Sequence, residues 1–364
     1  MVFGKEQLYR FFGIIAQLLR QACSFKSTLN FSGQLHPPDR SIEKPPYFVW
    51  GCKLSIFGRF STTFPHFILK IAAIDIGSNA ARLQISTVLH VDDVISFKKV
   101  EYVRFPLRLG HDVFNFGEIT PESEVRTNKL MQVYKLLMEL HEVEDYMACA
   151  TSAMREAVNG HKVATRIKEL TGIEINIIDG QKEAELINNV VVQALDERQF
   201  LHIDVGGGST ELNLYLNRKK VNSKSFKIGS VRSLEGKETK GAWNKMKEWV
   251  DENVLMTQDM VAVGTGGNIN KIFNLVVKVG ETTTLAEIER MRNYISGYSL
   301  EDRINKLRLN ADRADVIIPA ADIYISVMKW AGANTIVVPD LGLKDGILQL
   351  VYERWDKKQP KKKP

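Results

Sequence analysis

Three consecutive glycines, Gly206, Gly207 and Gly208, interrupt an alternating apolar run and constrain this chain more than any other stretch. Leu201, Ile203 and Val205 alternate before them, and Leu212 and Leu214 after them, which is the period of a strand with one buried face. The segment reads as strand, turn, strand. A tight hairpin needs fewer glycines than this. Removing every Cβ from the bend, with Ser209 beside it, lets backbone N–H groups converge on one point, a nest whose natural guest is a phosphate oxygen. Asp204 closes the first strand, where it can hold a divalent cation through water. Glu211 opens the second strand and points back toward the same turn. Taken alone, the segment also fits a plain hairpin with a glycine bulge.

The pattern occurs again. Residues 71–85 give an apolar strand, Asp75, Gly77, a small polar turn of Ser78 and Asn79, and a strand carrying Arg82. A third turn, with Gly264, Gly266 and Gly267, follows another apolar run and leads into a helix-like segment. Two Asp-x-Gly hairpins about one domain apart predict a duplicated phosphate-binding fold with a cleft between its halves. The length of 364 residues suits two domains.

The net charge of +6 is local. Residues 1–70 hold nine Lys/Arg against three Asp/Glu, and residues 357–364 add five lysines, so the body over 71–356 is slightly acidic. That balance argues against a nucleic-acid binder. Cys23, Cys52 and Cys149 are too few and too scattered for a disulfide framework or a zinc site, which suits a reducing cytoplasm. The apolar stretch 11–19 is too short to span a membrane and is followed by no cleavage signature. Residues 1–70 are expected to be a disordered extension or translation upstream of the true start, and 357–364 a solubilising basic tail.

The body alternates strands and helices. We expect a strand over 94–105, a helix over 121–142, a strand over 145–150, and a helix over 153–170 that breaks at Gly160. A strand over 173–178 and a helix over 181–195 follow. The second half should give a hairpin over 201–217, strand to 226, helix 242–254, strand 260–263 and helices to 296. Helix 314–330, strand 335–339 and helix 342–354 close it. Such alternation with antiparallel hairpins at the start of each half predicts α/β architecture with mixed sheets. His111-Asp112 reads as a loop pair and not a metal site.

In this order the motifs resemble the exopolyphosphatase/guanosine pentaphosphate phosphatase family, within the actin, Hsp70 and sugar-kinase superfamily. Asp75–Leu83, Ala150–Asn159, Gly180–Ile187, Asp204–Leu212, Gly264–Gly267, Arg313–Pro319 and Asp340–Ile347 carry the resemblance, which covers roughly 71–352. It implies two RNase H-like domains with mixed sheets facing a cleft, over 71–187 and 188–356, without the HD-type domain of longer members. It also implies Mg²⁺-assisted hydrolysis of a phosphoanhydride, with Glu183 activating water and Glu211 as the second catalytic carboxylate. A homodimer is what the family suggests. Lys182 stands where glutamate is common and Asp179 where serine is common; neither removes a catalytic position.

The chemistry asked of such a cleft is mainly positioning and charge neutralisation. Gly77, Ser78 and Asn79 on one side, Gly206–Ser209 on the other, and Gly266 and Gly267 are the expected phosphate grips. Arg82 and Arg155 are the expected bidentate contacts, although Arg82 alone could equally be a strand-end surface residue. Asp75, Asp204 and Glu211 are the expected metal-holding carboxylates. Acidic residues are common in first helical turns for dipole reasons, so Glu183 draws its role from the resemblance. Lys227 and Arg232 would form a track for a longer polyanion, while Glu156 and Glu185 read as solvated helix charges. The expected substrate is inorganic polyphosphate or guanosine pentaphosphate. A kinase would need a sugar or acetate pocket for which no insertion exists. A non-catalytic sensor would be favoured by loss of Glu183 or Glu211, and both are present.

Overall fold

The computed structural model describes residues 68–91, 94–254, 260–276 and 282–359. The expectations for residues 1–67, including Cys23 and Cys52, and for residues 360–364 of the basic tail lie outside the described residues.

The first half runs β1 (Lys70–Ile76), β2 (Ala81–Val91), β3 (Val94–Phe105), α1 (Leu109–Phe116), α2 (Pro121–Leu140), β4 (Asp145–Ala150), α3 (Ser152–Glu156), α4 (Gly160–Thr171), β5 (Ile175–Ile177) and α5 (Gly180–Val191). The second runs β6 (Phe200–Val205), β7 (Thr210–Leu216), β8 (Lys219–Phe226), α6 (Ser230–Leu234), α7 (Ala242–Asn253), β9 (Val261–Thr265) and α8 (Gly267–Val276). It closes with β10 (Thr282–Thr284), α9 (Leu285–Ser296), α10 (Leu300–Asn305), α11 (Ala311–Ala314), α12 (Ile317–Ala331), β11 (Thr335–Val337) and α13 (Leu343–Lys358).

The two sheets share a topology. The first is ordered β3-β2-β1-β4-β5, and the second repeats it as β8-β7-β6-β9-β11, with β10 added at the far edge. In each, a hairpin pairs antiparallel and the following strand joins parallel: β1 with β2 and then β4, β6 with β7 and then β9. The central strands β1 and β6 are buried on both faces, as their nearly unbroken apolar runs require. The outer strands β3 and β8 are largely exposed and carry lysines, which blunt pairing with another chain.

Helices pack each sheet on its outer face. Leu130, Met131 and Tyr134 of α2 and Val163 and Ile167 of α4 close the first core; Met246, Ile269, Tyr324 and Val327 take part in the second. A third core is shared. Leu186 and Ile187 of α5 and Ile347, Leu348 and Val351 of α13 bury against Ile71 and Ala73 of β1 together with Phe200, Tyr215 and Val263 of the second sheet. The last helix therefore returns to the first sheet, where it packs on β1 and β4. We keep the division 71–187 and 188–356 as a proposal, noting that α5 runs across 187/188.

Several local expectations change. The helix expected over 121–142 ends at Leu140, and Thr120 starts it by accepting from Ser123 N ahead of Pro121. The helix expected over 153–170 is two helices. The chain leaves helical geometry at Ala157, and the Asn159 side chain is tied to Ile119 at both N and O, at 2.9 and 2.8 Å, so Gly160 opens a helix instead of interrupting one. β10 is a three-residue strand with no alternation to reveal it. His111 and Asp112 lie on α1, not in a loop: His111 Nδ1 is 2.7 Å from Glu235 Oε1, and Asp112 accepts from Thr120 N and Oγ1. Among the described residues no helix is long and apolar enough to cross a membrane.

Gly346 sets how closely α13 crosses α5, since a Cβ there would stand 2.1 Å from the Leu186 carbonyl oxygen. Gly346→Ala must push the helices apart and is expected to cost about 1–3 kcal/mol. Urea denaturation, read as a lowered midpoint at unchanged slope, checks it.

Candidate active site

Two turns face each other across the cleft and are closed the same way. Gly77 N donates to Ala80 O at 3.1 Å, and Gly206 N donates to Ser209 O at 2.9 Å. The next amides round each bend, those of Ser78 and Asn79 in the first and Gly207 in the second, have no acceptor among the described residues. The turns touch backbone to backbone. A Cβ on Gly207 would lie 2.8 Å from Ser78 Cβ and 3.2 Å from the Asn79 amide, and one on Gly208 would lie 2.4 Å from Ser152 Oγ. The glycine run thus serves the close approach of the two turns. Ser78 and Ser152 hydroxyls meet at 2.8 Å beneath it.

Asp75 pairs with Arg82 across the first hairpin, and Asp204 with Glu211 at the equivalent place in the second. One duplicated position therefore carries opposite charges in one sheet and like charges in the other. The first pair is neutralised, Arg82 Nη1 donating to Asp75 Oδ2 at 2.6 Å. The second is strained, because like charges opposite one another on adjacent strands repel. Removal from water raises the Asp204 carboxyl to about 6. Burial, then the charge of Asp204, raises Glu211 to about 7, against hydrogen bonds from Ser209 and Ser225. Glu183, on the first turns of α5, is pushed well above the ordinary carboxylate range by burial and then by Glu211, Asp204 and Asp75. Its Oε2 is buried and has no hydrogen-bond partner.

Asp75, Gly77, Ser78, Asn79, Arg82, Glu183, Asp204, Gly206, Gly207, Ser209, Gly266 and Gly267 line one cavity of about 150 Å³. That volume is well below the several hundred Å³ of sites for drug-sized ligands. Glu211 sits just behind, its Oε1 taking the Ser225 hydroxyl at 2.8 Å. Gly208 is buried against Ser152 and Phe114, outside the lining. Arg155 also lies outside it, and its Nη1 holds the Ile178 carbonyl at 2.6 Å, directly before the α5 cap at Asp179.

The expected polyanion track needs correcting. Arg232 is buried, its guanidinium 4.0 Å over the Phe114 ring, and it donates to Glu156 at 2.7 Å. It therefore offers nothing to a surface ligand. Lys227 is exposed but pairs with the same carboxylate at 3.3 Å, so Glu156 is no free helix charge. Lys182 is exposed and pairs with Glu185.

Sequence reasoning missed the arginines on the opposite lip. Arg104 of β3 is paired with Asp312, which also receives Asn79 Nδ2 at its carbonyl at 2.8 Å. Arg313 lines the cavity, its guanidinium without a hydrogen-bond or ion-pair partner among the described residues, and burial, then Arg104, lowers its pKa. No motif of spacing marks Arg104, which lies on a largely exposed strand.

Among the described residues no three carboxylate, histidine or cysteine side chains stand close enough to ligate a metal ion directly. Buried carboxylates whose pKa values are raised, one with a partnerless buried oxygen, nonetheless suit a cation that keeps much of its water. Mg²⁺ is such an ion, bound through one or two carboxylates and the substrate's phosphates.

The profile of the Ppx/GppA phosphatase family matches residues 87–354, and the chain belongs to that family. It is 29% identical over 320 residues to a bifunctional 3-dehydroquinate synthase/phosphatase of Fusobacterium nucleatum, covering 78% of this chain and 46% of that protein. It is 24% identical to a guanosine-5'-triphosphate,3'-diphosphate pyrophosphatase of Photobacterium profundum, covering 79% of this chain and 59% of that one. Exopolyphosphatase 2 of Mycobacterium tuberculosis is 33% identical over 46% of this chain and 54% of its own. The chain thus spans about half the length of these relatives. In fold it is similar to the Ppx/GppA protein of Aquifex aeolicus, with a TM-score of 0.63 at 24% identity, covering 80% of this chain and all of that one. An exopolyphosphatase structure from Cytophaga hutchinsonii gives 0.67 at 24%, covering 80% and 99%.

Below the second hairpin, Asn213 Nδ2 donates to His202 Nδ1 at 3.0 Å, which leaves Nε2–H to donate to Thr265 Oγ1 at 2.9 Å, beside Asp204. Burial lowers the His202 pKa to about 3. As pH falls below about 6.5 the unfolded chain takes up a proton that the folded one refuses, so this residue destabilises the fold in acid. The stability advantage of wild type over His202→Gln is expected to shrink by about 2 kcal/mol between pH 7.5 and pH 5. Paired denaturation curves at the two pH values check it.

Proposed function

We propose that this phosphatase releases the terminal phosphate of inorganic polyphosphate by attack of water, with Mg²⁺ as cofactor. The observation that carries the reading is Glu183: a buried carboxylate with an unpartnered oxygen and a raised pKa, on the floor between two phosphate-gripping turns. Water activation needs a positioned base, and an oxygen without a protein partner is open to the water it would orient.

In this reading the terminal phosphate lies between the amides of Ser78, Asn79 and Gly207, with Arg82 and Arg313 facing its oxygens. Glu183 orients the water and takes its proton, and Glu211 behind it keeps that carboxylate from ionising too readily. Asp204 and Asp75 would hold Mg²⁺, which supplies charge neutralisation for the phosphate oxygens when bound. Arg155 fixes the entry to α5 and so the height of Glu183, a positioning part and not a phosphate contact.

Guanosine pentaphosphate is the second reading, favoured by relatives of that activity name that match over three quarters of this chain. It uses the same residues in the same roles.

Glu183→Gln is expected to retain binding of polyphosphate and lose about 10²–10⁴-fold in phosphate release. Undiminished turnover would remove Glu183 from the mechanism. Wild-type release from long-chain polyphosphate and from guanosine pentaphosphate, measured side by side with Mg²⁺ and with EDTA, separates the two substrates. Release that EDTA leaves intact would overturn the metal requirement.

A further inference from the structure

The orientation of the second turn has a specific cause. An anion nest works only if N–H groups face the anion and carbonyl oxygens face away. All four carbonyls from Gly206 to Ser209 are taken by donors. Ser230 N donates to Gly206 O at 3.0 Å; Val231 N and Arg232 N donate to Gly207 O at 2.8 and 3.0 Å; Gly206 N donates to Ser209 O. Each of these donors is a backbone amide, supplied by the turn itself or by the start of α6. Gly208 O is the exception. Its donor is a side chain, Arg232 Nε, at 2.7 Å.

We propose that Arg232 is the positioning residue of the nest. In a trans peptide the C=O and N–H point in opposite directions. Holding Gly208 O therefore turns the Ser209 N–H away from Arg232, and Ser209 lines the cavity. Glycine at 208 has no side chain to resist rotation of that peptide. Released, the peptide is free to present its carbonyl oxygen, the negative end of its dipole, to a phosphate.

The guanidinium is held for this task on three sides. Phe114 of α1 lies under its plane at 4.0 Å, and Glu156 at the end of α3 accepts from Nη2 at 2.7 Å. Glu156 belongs to the helix whose Ser152 meets the first turn, so one arginine ties the second turn to the scaffold of the first. A planar fork with several fixed donors does this; an ammonium cannot hold both oxygens in the same plane. The motif's arginine thus works from inside the protein, although its charge in the sequence reads as a surface contact for substrate.

The inference rests on the phosphate-binding role proposed above for the cleft, and the test separates the two. Inorganic phosphate binding is measured by calorimetry, and kcat/KM is measured on a short and a long polyphosphate, for wild type, Arg232→Ala, and Arg232→Ala with added guanidinium ion. Expected is a loss of about tenfold or more in phosphate affinity and in kcat/KM, equal for both chain lengths and reversed in large part by guanidinium. A loss that grows with chain length would restore Arg232 to a substrate track and overturn the proposal, as would an unchanged affinity. Should Arg232→Ala fail to fold, Arg232→Met with Glu156→Gln keeps the stem on Phe114 and leaves no unpaired buried charge, only the exposed Lys227 losing its partner, and the same equal loss is expected. Wild type that binds phosphate but hydrolyses neither polyphosphate nor guanosine pentaphosphate would refute the proposed reaction, while the calorimetric comparison still decides the role of Arg232.

Discussion

Two turns of polypeptide meet in this molecule where one of them carries no side chain, at Gly207. Because Gly207 lies against Ser78 and Asn79, the amides of both bends face a common small volume. A single methyl group at that contact would separate them. The rest of the architecture can be understood as a frame for it. Each sheet delivers one bend at the end of a doubly buried central strand, and a parallel neighbour starts a helix beside each bend. α5 and α13 weld the two sheets together from below.

That contact has an electrostatic cost. It gathers Asp75, Glu183, Asp204 and Glu211 in a space with little water. Only Asp75 has a cation of its own, in Arg82. Burial raises the pKa of the other three, with Asp75 adding to it at Asp204, Asp204 at Glu211, and Glu211 and Asp204 at Glu183, whose Oε2 has no partner among the described residues. Native structures tolerate few such groups, and a protein that only had to fold would have put Arg or Gln at position 211, as the duplicated position 82 shows. The unbalanced half is the half to which the proposed reaction assigns its catalytic carboxylates.

Much of this was legible in the sequence because the informative residues lie in short local patterns. The alternation around Gly206–Gly208 and around Gly77 gave both hairpins, and the copies revealed the duplication. The order of motifs carried the family, and the family carried Glu183, whose place at the start of a helix is otherwise unremarkable. What escaped were contacts between distant segments. Arg104 meets Asp312 across 208 residues, and no periodicity encodes that pairing. Arg232 reads as a surface cation because sequence shows its charge and hides Phe114 and Glu156, which enclose it. Glu156 was misread for the same reason. Position 160 was a glycine in a helical pattern, and only the Asn159–Ile119 bonds explain why the chain bends before it.

The return of α13 to β1 has a consequence for how the chain is made. Ile71 and Ala73 emerge near the beginning of the described fold, and the residues that cover them, Ile347, Leu348 and Val351, emerge near its end. At about 5–20 residues per second, translation separates the two events by roughly 15–60 s. Throughout that interval the part of the β1 face that α13 covers stays open, and the order of synthesis and the order of packing run in opposite directions.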